Sequence, residues 1–190
     1  MKILLLNGSP RQGGVVATLL KCVAEGAAER GHEVEWVDVC GLDMRPCRAC
    51  MRCRTDGQCS LAEDDAQRVG RKIRAADGLI IGTPTHWCGM SAPLKLLFDR
   101  NVPVFIGERT VGFPPPRQKG KPAVVVAACT TPWPWNFLLF QSRGALRAVR
   151  AVLSYGGYRF RGAVVQADTK KHKTPTERAK RKARSLGRKL

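Results

Sequence analysis

This sequence has no long apolar stretch and few acidic side chains for its number of basic ones. No apolar run approaches the roughly 20 residues that a membrane-spanning helix needs, so we expect no membrane span. The apolar stretch at residues 3–6 is too short for a secretory signal, and no small-residue cleavage site follows it. Ser-His-Asp and paired-carboxylate patterns, the GxGxxG pattern and the Walker P-loop are also missing. The lack of a membrane span and of a secretory signal favours a cytoplasmic location.

The shortage of acids leaves a strongly basic chain. It has 33 Lys and Arg against 15 Asp and Glu, for a formal net charge of +18. Half of that charge lies in residues 170–190, where ten basic side chains face one acid, Glu177. A basic surface attracts nucleic acid, anionic lipid and acidic proteins without distinguishing among them. Nucleic acid is therefore a possible partner, and a solvated charged face is the simpler interpretation.

Cysteine is not scarce, and half of the cysteines are clustered. Cys47, Cys50, Cys53 and Cys59 fall in one short segment, and the other four are scattered. Clustered cysteines in a chain without an export signal indicate metal or redox chemistry. Three cysteines at two-residue gaps plus a fourth suit a [4Fe–4S] cluster, while zinc and no metal remain open. The arginines interspersed among them are expected to lower the pKa values of the thiols.

Strand-like and helix-like segments alternate along the chain. Strand-like segments lie at residues 2–6, 34–39, 79–81, 123–127 and 159–165, and the runs at 2–6 and 123–127 are typical of strands buried in a parallel sheet. Amphipathic segments follow them, and the last covers residues 174–190. Alternation of this kind predicts an α/β, doubly wound, five-stranded parallel sheet of order 2-1-3-4-5 with helices on both faces. We expect one domain over residues 1–190, with a Cys-rich segment at 40–63 and a basic C-terminal helix at 174–190.

Ligands of such sheets bind outside the carboxyl ends of the strands. Residues 8–14, with the sequence Gly-Ser-Pro-Arg-Gln-Gly-Gly, join the first strand to a helix amino terminus. Free N–H groups and the helix dipole favour a phosphate there, and Ser9 and Arg11 add a hydroxyl and a charge. The corresponding loops after the third and fourth strands begin at Pro84 and Cys129.

Three motifs in order make the chain recognisable: Asn-Gly-Ser-Pro-Arg at 7–11, Gly-Thr-Pro-Thr-His-Trp-Cys-Gly-Met-Ser at 82–91, and Leu-Lys-x-x-Phe-Asp-Arg at 94–100. Together they resemble the NAD(P)H-dependent FMN reductase family, and more closely its branch of iron–sulfur flavoproteins. The resemblance runs from the first strand to the last helix. It implies a flavodoxin-like fold that binds FMN and takes electrons from NAD(P)H.

The resemblance also implies which residues touch the cofactors. Ser9 and Arg11 hold the FMN phosphate, although Val15 and Val16 stand where relatives often carry hydroxyl or amide side chains. The complete set implied for FMN is Ser9, Arg11, Gly13, Gly14, Val15, Val16, Pro84, Thr85, His86, Trp87, Cys88 and Gly89. The set implied for a [4Fe–4S] cluster is Cys47, Cys50, Cys53 and Cys59.

Three functions stay open on the sequence. The first is an FMN-dependent oxidoreductase that passes electrons from NAD(P)H to a small-molecule or redox-protein acceptor. The second is an iron–sulfur flavoprotein electron carrier reduced by a ferredoxin. The third is a flavin-free flavodoxin-like protein that binds nucleic acid or an acidic partner. By analogy with the family, we expect a homodimer or homotetramer.

Overall fold

Five parallel strands form one sheet at the centre of the molecule. The computed structural model describes residues 1–109 and 111–190. The strands are β1 (Lys2–Asn7), β2 (Glu33–Asp38), β3 (Gly78–Pro84), β4 (Pro122–Ala128) and β5 (Arg159–Gln166). They lie in the order β2-β1-β3-β4-β5, and every pair is parallel. The predicted doubly wound order is therefore confirmed.

Helices cover both faces of the sheet. Their bounds are α1 (Val15–Ala28), α2 (Arg52–Asp56), α3 (Asp65–Ala75), α4 (Ala92–Arg100), α5 (Val102–Phe105), α6 (Trp135–Leu138), α7 (Gln141–Gly156) and α8 (Glu177–Gly187). A short 3-10 helix at Val39–Gly41 follows β2. In the part of the chain that the structure describes, no helix is long and apolar enough to cross a membrane.

Alternating residues of the central strands pack into two separate hydrophobic cores, one on each face of the sheet. Leu4 and Leu6 of β1 face α3, α4, α5 and α7, and Ile3 and Leu5 face α1 and α8. All four side chains are essentially inaccessible to solvent. Burial on both faces explains why β1 is a continuous apolar run rather than an alternating one.

Helix α8 packs directly against α1, and two glycines permit the close approach. A Cβ on Gly26 would lie 2.1 Å from the Arg184 carbonyl oxygen, and one on Gly187 would lie 2.0 Å from that of Val23. Arg184 also pairs with Glu25 across the same contact. The helix begins at Glu177, three residues later than the sequence predicts. It buries Ala179, Ala183 and Leu186 and leaves its cations outward.

A buried ion pair joins α4 to the start of α3. The Arg100 side chain is fully buried and donates to both carboxylate oxygens of Asp64, at 2.7 and 3.2 Å. Asp64 also caps α3 by accepting from the Ala66 amide at 2.9 Å. Burial alone would raise the pKa of Asp64, but the hydrogen bonds from Arg100 and from backbone amides outweigh it and hold that pKa below its usual value. The carboxylate is therefore ionised in the folded chain.

Candidate functional site

The loop after β1 ends in an uncapped helix amino terminus. The Ser9 amide donates to the Asn7 side chain at 3.1 Å, and the Arg11 amide donates to Ser9 Oγ at 3.3 Å. Gly14 occupies the N-cap position of α1, and no side chain among the described residues caps it. The first N–H groups of α1 are thus available to an anion, which the helix dipole also favours.

The loop after β3 brings an unsatisfied hydroxyl to the same edge of the sheet. The Thr85 amide donates to the Ala128 carbonyl at 2.8 Å, which fixes Thr85 beside the end of β4. Its Oγ1 atom is buried and has no hydrogen-bond partner in residues 1–109 and 111–190. A buried hydroxyl without a partner is costly, so this atom is a candidate for ligand contact.

A tight hairpin follows at residues 86–89. The His86 and Gly89 backbones exchange hydrogen bonds of 3.0 and 2.8 Å, and Trp87 and Cys88 have φ angles of 48° and 59°. Two left-handed residues in a two-residue hairpin form the pattern of a type I′ turn, which normally selects Asn and Gly. Left-handed non-glycine residues each cost of order 1–3 kcal/mol and cluster at functional sites. The turn leaves the Trp87 side chain fully exposed.

A cavity of about 680 Å³ opens between these loops, at the carboxyl ends of the strands. We call it the strand-end cavity. It is lined by Ser9, Pro10, Arg11, Gly13, Gly14, Val15, Val16, Pro84, Thr85, His86, Ala128, Cys129, Thr130, Thr169, Lys170 and Lys173. Nine of the residues implied by the family resemblance are in this lining. Trp87, Cys88 and Gly89 lie in the hairpin beside it and do not line it.

Part of the lining was not among the residues singled out from the sequence. Thr169, Lys170 and Lys173 come from the segment between β5 and α8. The sequence signal was a cluster of cations after the fifth strand, which we assigned to the basic tail. Cys129 also reaches the cavity, and burial raises the pKa of its thiol.

The clustered cysteines line a second, smaller cavity of about 140 Å³, which we call the cysteine cavity. Its lining includes Cys47, Cys50, Cys53 and Cys59, together with Arg100. The Ala49 amide donates to Cys47 Sγ at 3.4 Å. Arg100 Nε is buried and has no partner in the described part of the chain. An unpaired N–H on a cation fits a thiolate or a sulfide, so the donors suit an anionic sulfur site.

The pKa values of Cys50 and Cys53 are shifted in opposite directions. A hydrogen bond with Ser60, at 3.3 Å between sulfur and oxygen, lowers the pKa of Cys50. Burial, followed by the neighbouring cysteines, raises the pKa of Cys53, so the expected lowering is wrong for that thiol. Within the described residues, no group of three or more Cys, His, Asp or Glu has the geometry to hold a metal ion. The thiols share one cavity but do not converge.

Exposed aromatic and aliphatic side chains of the hairpin and of residues 133–140 make up what we call the aromatic patch. Its members are Trp87, Trp133, Trp135, Phe137, Leu138, Leu139 and Phe140. Cys88 Sγ lies 3.6 Å from the Leu139 carbonyl oxygen, which joins the hairpin to the rest of the patch. Large exposed apolar patches are typical of interaction surfaces, although the Arg143 guanidinium stacks on the Phe137 and Phe140 rings within this one.

Comparison with known proteins agrees with this architecture. An iron-sulfur flavoprotein of Methanocaldococcus jannaschii is 36% identical over 107 residues, which are 56% of this chain and 55% of that protein. The chain therefore spans about half the length of the iron-sulfur flavoproteins that it matches in sequence. The crystal structure of an azoreductase from Bacillus anthracis superposes on this chain with a TM-score of 0.76 at 16% identity. The superposition covers 100% of both chains. A flavodoxin from the domain Archaea has a TM-score of 0.60 at 11% identity, covering 100% of this chain and 95% of that one.

The solved structures show the fold, and they confirm it as flavodoxin-like. Family membership rests on a separate match, which covers nearly the whole chain. The family model described as NADPH-dependent FMN reductase matches residues 1–176. The chain belongs to the NADPH-dependent FMN reductase family.

Proposed function

We propose that the protein binds FMN in the strand-end cavity and is an oxidoreductase that uses NAD(P)H. The observation that carries the proposal is that two unsatisfied features belong to residues that line one cavity. These are the uncapped amino terminus of α1 and the unpartnered Thr85 Oγ1. A phosphate would bind at the helix amino terminus, and a polar edge of a flavin would form a hydrogen bond with Thr85 Oγ1. Membership of an FMN reductase family points to the same cofactor.

The phosphate end of the cofactor would lie at the loop after β1. Ser9 Oγ, the Arg11 guanidinium and the backbone N–H groups of Gly13, Val15 and Val16 would supply its contacts, while the Gly14 amide donates to the Arg11 carbonyl at 3.0 Å. Gly13 leaves open space there, since a Cβ at this position would meet no atom within 4 Å. Val15 and Val16 contribute backbone donors and an apolar wall only.

The ring end would lie against the loop after β3. Pro84, Thr85 and His86 line the cavity, and the buried Thr85 Oγ1 is the polar atom among them that has no partner in the described residues. Trp87, Cys88 and Gly89 lie in the hairpin beside the cavity, where they would flank the ring. Bound FMN supplies hydride acceptance and the release of electrons singly or in pairs, while the protein supplies binding, orientation and electrostatics. The acceptor is a small molecule or a redox protein.

An anaerobic absorbance experiment tests this proposal. The purified or FMN-reconstituted protein should show flavin bands that bleach when NADPH or NADH is added. Arg11→Gln should weaken FMN binding, whereas Arg178→Gln on exposed α8 is the control of equal charge change. A protein that stays colourless after reconstitution with FMN refutes the assignment and favours a flavin-free role for the basic surface.

A second candidate is an iron–sulfur flavoprotein, the name carried by the M. jannaschii relative. The supporting observation is that Cys47, Cys50, Cys53 and Cys59 all line the cysteine cavity beside the unpaired Arg100 Nε. These four thiolates would hold a [4Fe–4S] cluster, which supplies one-electron transfer when bound. Formation of the cluster would require the thiols to draw together from their present positions.

Metal and sulfide analysis of anaerobically purified protein separates the alternatives. Four iron and four sulfide per chain, lost in Cys53→Ser and retained in Cys22→Ser, would support the cluster. Cys22 is the control because it lies in α1, outside the cysteine cavity. One zinc per chain, or no metal in the protein isolated without oxygen, would reject the cluster.

We also propose that the protein is a homodimer or homotetramer that covers the aromatic patch. The patch exposes three Trp and two Phe side chains beside the strand-end cavity, which is more apolar surface than single exposed residues require. Light scattering after gel filtration measures the mass. A monomer at micromolar concentration would contradict this part of the proposal, and Trp135→Glu should dissociate the assembly.

A further inference from the structure

We propose that Lys170 and Lys173 act with Arg11 as a binding site for a phosphate monoester at the rim of the strand-end cavity. The inference rests on the proposed FMN-linked function and deepens it by naming the charged group that this rim recognises. It is carried by the position of the two lysines, by the charge of the cavity lining and by the composition of the loop after β1.

The segment after β5 is fixed to the end of β4 by its backbone. The amides of Asp168 and Thr169 donate to the Thr131 and Cys129 carbonyls at 3.2 and 3.1 Å. Asp168 has a φ of 55°, and its carbonyl accepts from the His172 amide at 2.9 Å. This single turn places Lys170 and Lys173 on the cavity, while Lys171 and His172 between them do not line it.

The cavity lining carries positive charge that nothing within it balances. It contains Arg11, Lys170 and Lys173, and its described residues include no Asp or Glu. None of the three cations forms an ion pair in residues 1–109 and 111–190. Asp168 is the acid nearest in sequence to the two lysines, and its Oδ2 atom lies 3.9 Å from His172 Nε2 instead. Cations gathered around one cavity repel each other unless an anion joins them, so the lining favours an anionic ligand.

The loop after β1 has few side-chain donors of its own. Val15 and Val16 offer none, and the Thr18 hydroxyl is engaged because it donates to the Gly14 carbonyl at 3.0 Å. Ser9 and Arg11 remain. A phosphate monoester carries close to two negative charges at neutral pH, more than Arg11 and the helix dipole balance. Lysine is a compact cation suited to phosphate, and Lys170 and Lys173 supply the missing charge.

Two ligands of the proposed reaction present this chemistry. FMN carries a terminal phosphate monoester, and NADPH carries one on its adenosine ribose that NADH lacks. Riboflavin is FMN without its phosphate, and NADH is the corresponding control for NADPH. Each pair therefore isolates the contribution of one phosphate.

The test compares Lys170→Gln/Lys173→Gln with the control Lys171→Gln/Lys182→Gln, which removes the same charge from exposed lysines outside the lining. Apoprotein is titrated with FMN and with riboflavin, and FMN-saturated protein is assayed with NADPH and with NADH. We expect the test variant to lose about tenfold of either the FMN-over-riboflavin or the NADPH-over-NADH preference, since charge-assisted contacts are worth at least that factor. The control should change both ratios by less than about twofold, because exposed charges outside the lining do not contact the ligand and are screened by salt.

Each outcome decides the inference. A fall in the flavin ratio identifies the FMN phosphate as the ligand, and a fall in the coenzyme ratio identifies NADPH. Unchanged ratios, or equal falls in test and control variants, overturn it. Should the wild-type protein bind neither flavin, the proposed function fails on its own. Titration with inorganic phosphate then decides the present inference: weaker binding by the test variant alone supports it, and equal binding overturns it.

Discussion

Replacing Arg100 with methionine should cost the protein a large part of its stability. The Arg100 side chain is 0% exposed and its partner Asp64 is 8% exposed. Methionine fills similar volume but leaves the carboxylate buried without its cation. Removing one partner of a buried ion pair typically costs about 3–5 kcal/mol, because the remaining charge stays desolvated.

The structure places the expected cost at the lower end of that range. Asp64 keeps two backbone donors, the amides of Ala66 at 2.9 Å and Arg45 at 3.1 Å. Arg100 also donates to the Arg45 carbonyl at 2.5 Å, and that bond is lost. We therefore expect a loss of about 3 kcal/mol in the free energy of unfolding. For a domain of this size, that loss lowers Tm by roughly 6–12 °C.

Urea unfolding of a double-mutant cycle measures the effect. Asp64→Asn keeps the helix cap but removes the charge, so the double variant should be more stable than the sum of the two single losses implies. Lys95→Met is the control, because its ion pair with Asp99 is exposed and should contribute less than about 1 kcal/mol. A cost below about 1 kcal/mol for Arg100→Met, or strict additivity in the cycle, would refute the reasoning.

Three further predictions follow from other features. Thr85→Val should leave the apoprotein as stable as the wild type and weaken FMN binding about two- to tenfold, because Oγ1 has no partner until a ligand arrives; fluorescence titration measures it. Gly26→Ala should lower the free energy of unfolding by about 1–3 kcal/mol by forcing α8 away from α1, whereas Gly41→Ala, in open space, should not. Because the folded pKa of Asp64 lies below 3.8, its stabilising contribution is complete above that pH and is lost as pH falls through the folded value. Acid unfolding should therefore be less steep in Asp64→Asn.

The sheet was predictable because the apolar runs of its central strands indicate that both of their faces are buried. Runs such as residues 3–6 and 123–127 have no polar face, which is typical of central parallel strands, and the alternating helices indicate crossovers that fit the common order 2-1-3-4-5. The loop after β1 was predictable for a similar reason. It joins the central strand to a helix, and that junction lies at the ligand-binding edge of every such sheet.

Features that depend on distant partners were not predictable. Lys170 and Lys173 belong to a run of cations, and nothing local indicates which of them turn toward a cavity. The left-handed backbone of Trp87 and Cys88 runs against residue preference and is imposed by its surroundings. The Arg100–Asp64 pair joins residues 36 apart, so its formation depends on the packing of two helices.

The contact between α1 and α8 also constrains how the protein is made. Gly26 and Gly187 meet across a separation of more than 150 residues, so one side of α1 has no cover until α8 leaves the ribosome. At about 5–20 residues per second, translation delays that contact by roughly 8–32 s. Through this interval the nascent chain displays Val23, Ala27 and the adjacent strand surface to the cell. Nascent chains should therefore bind chaperones through this surface until α8 is synthesised. Synonymous codons that slow translation of the residues before α8 should increase aggregation.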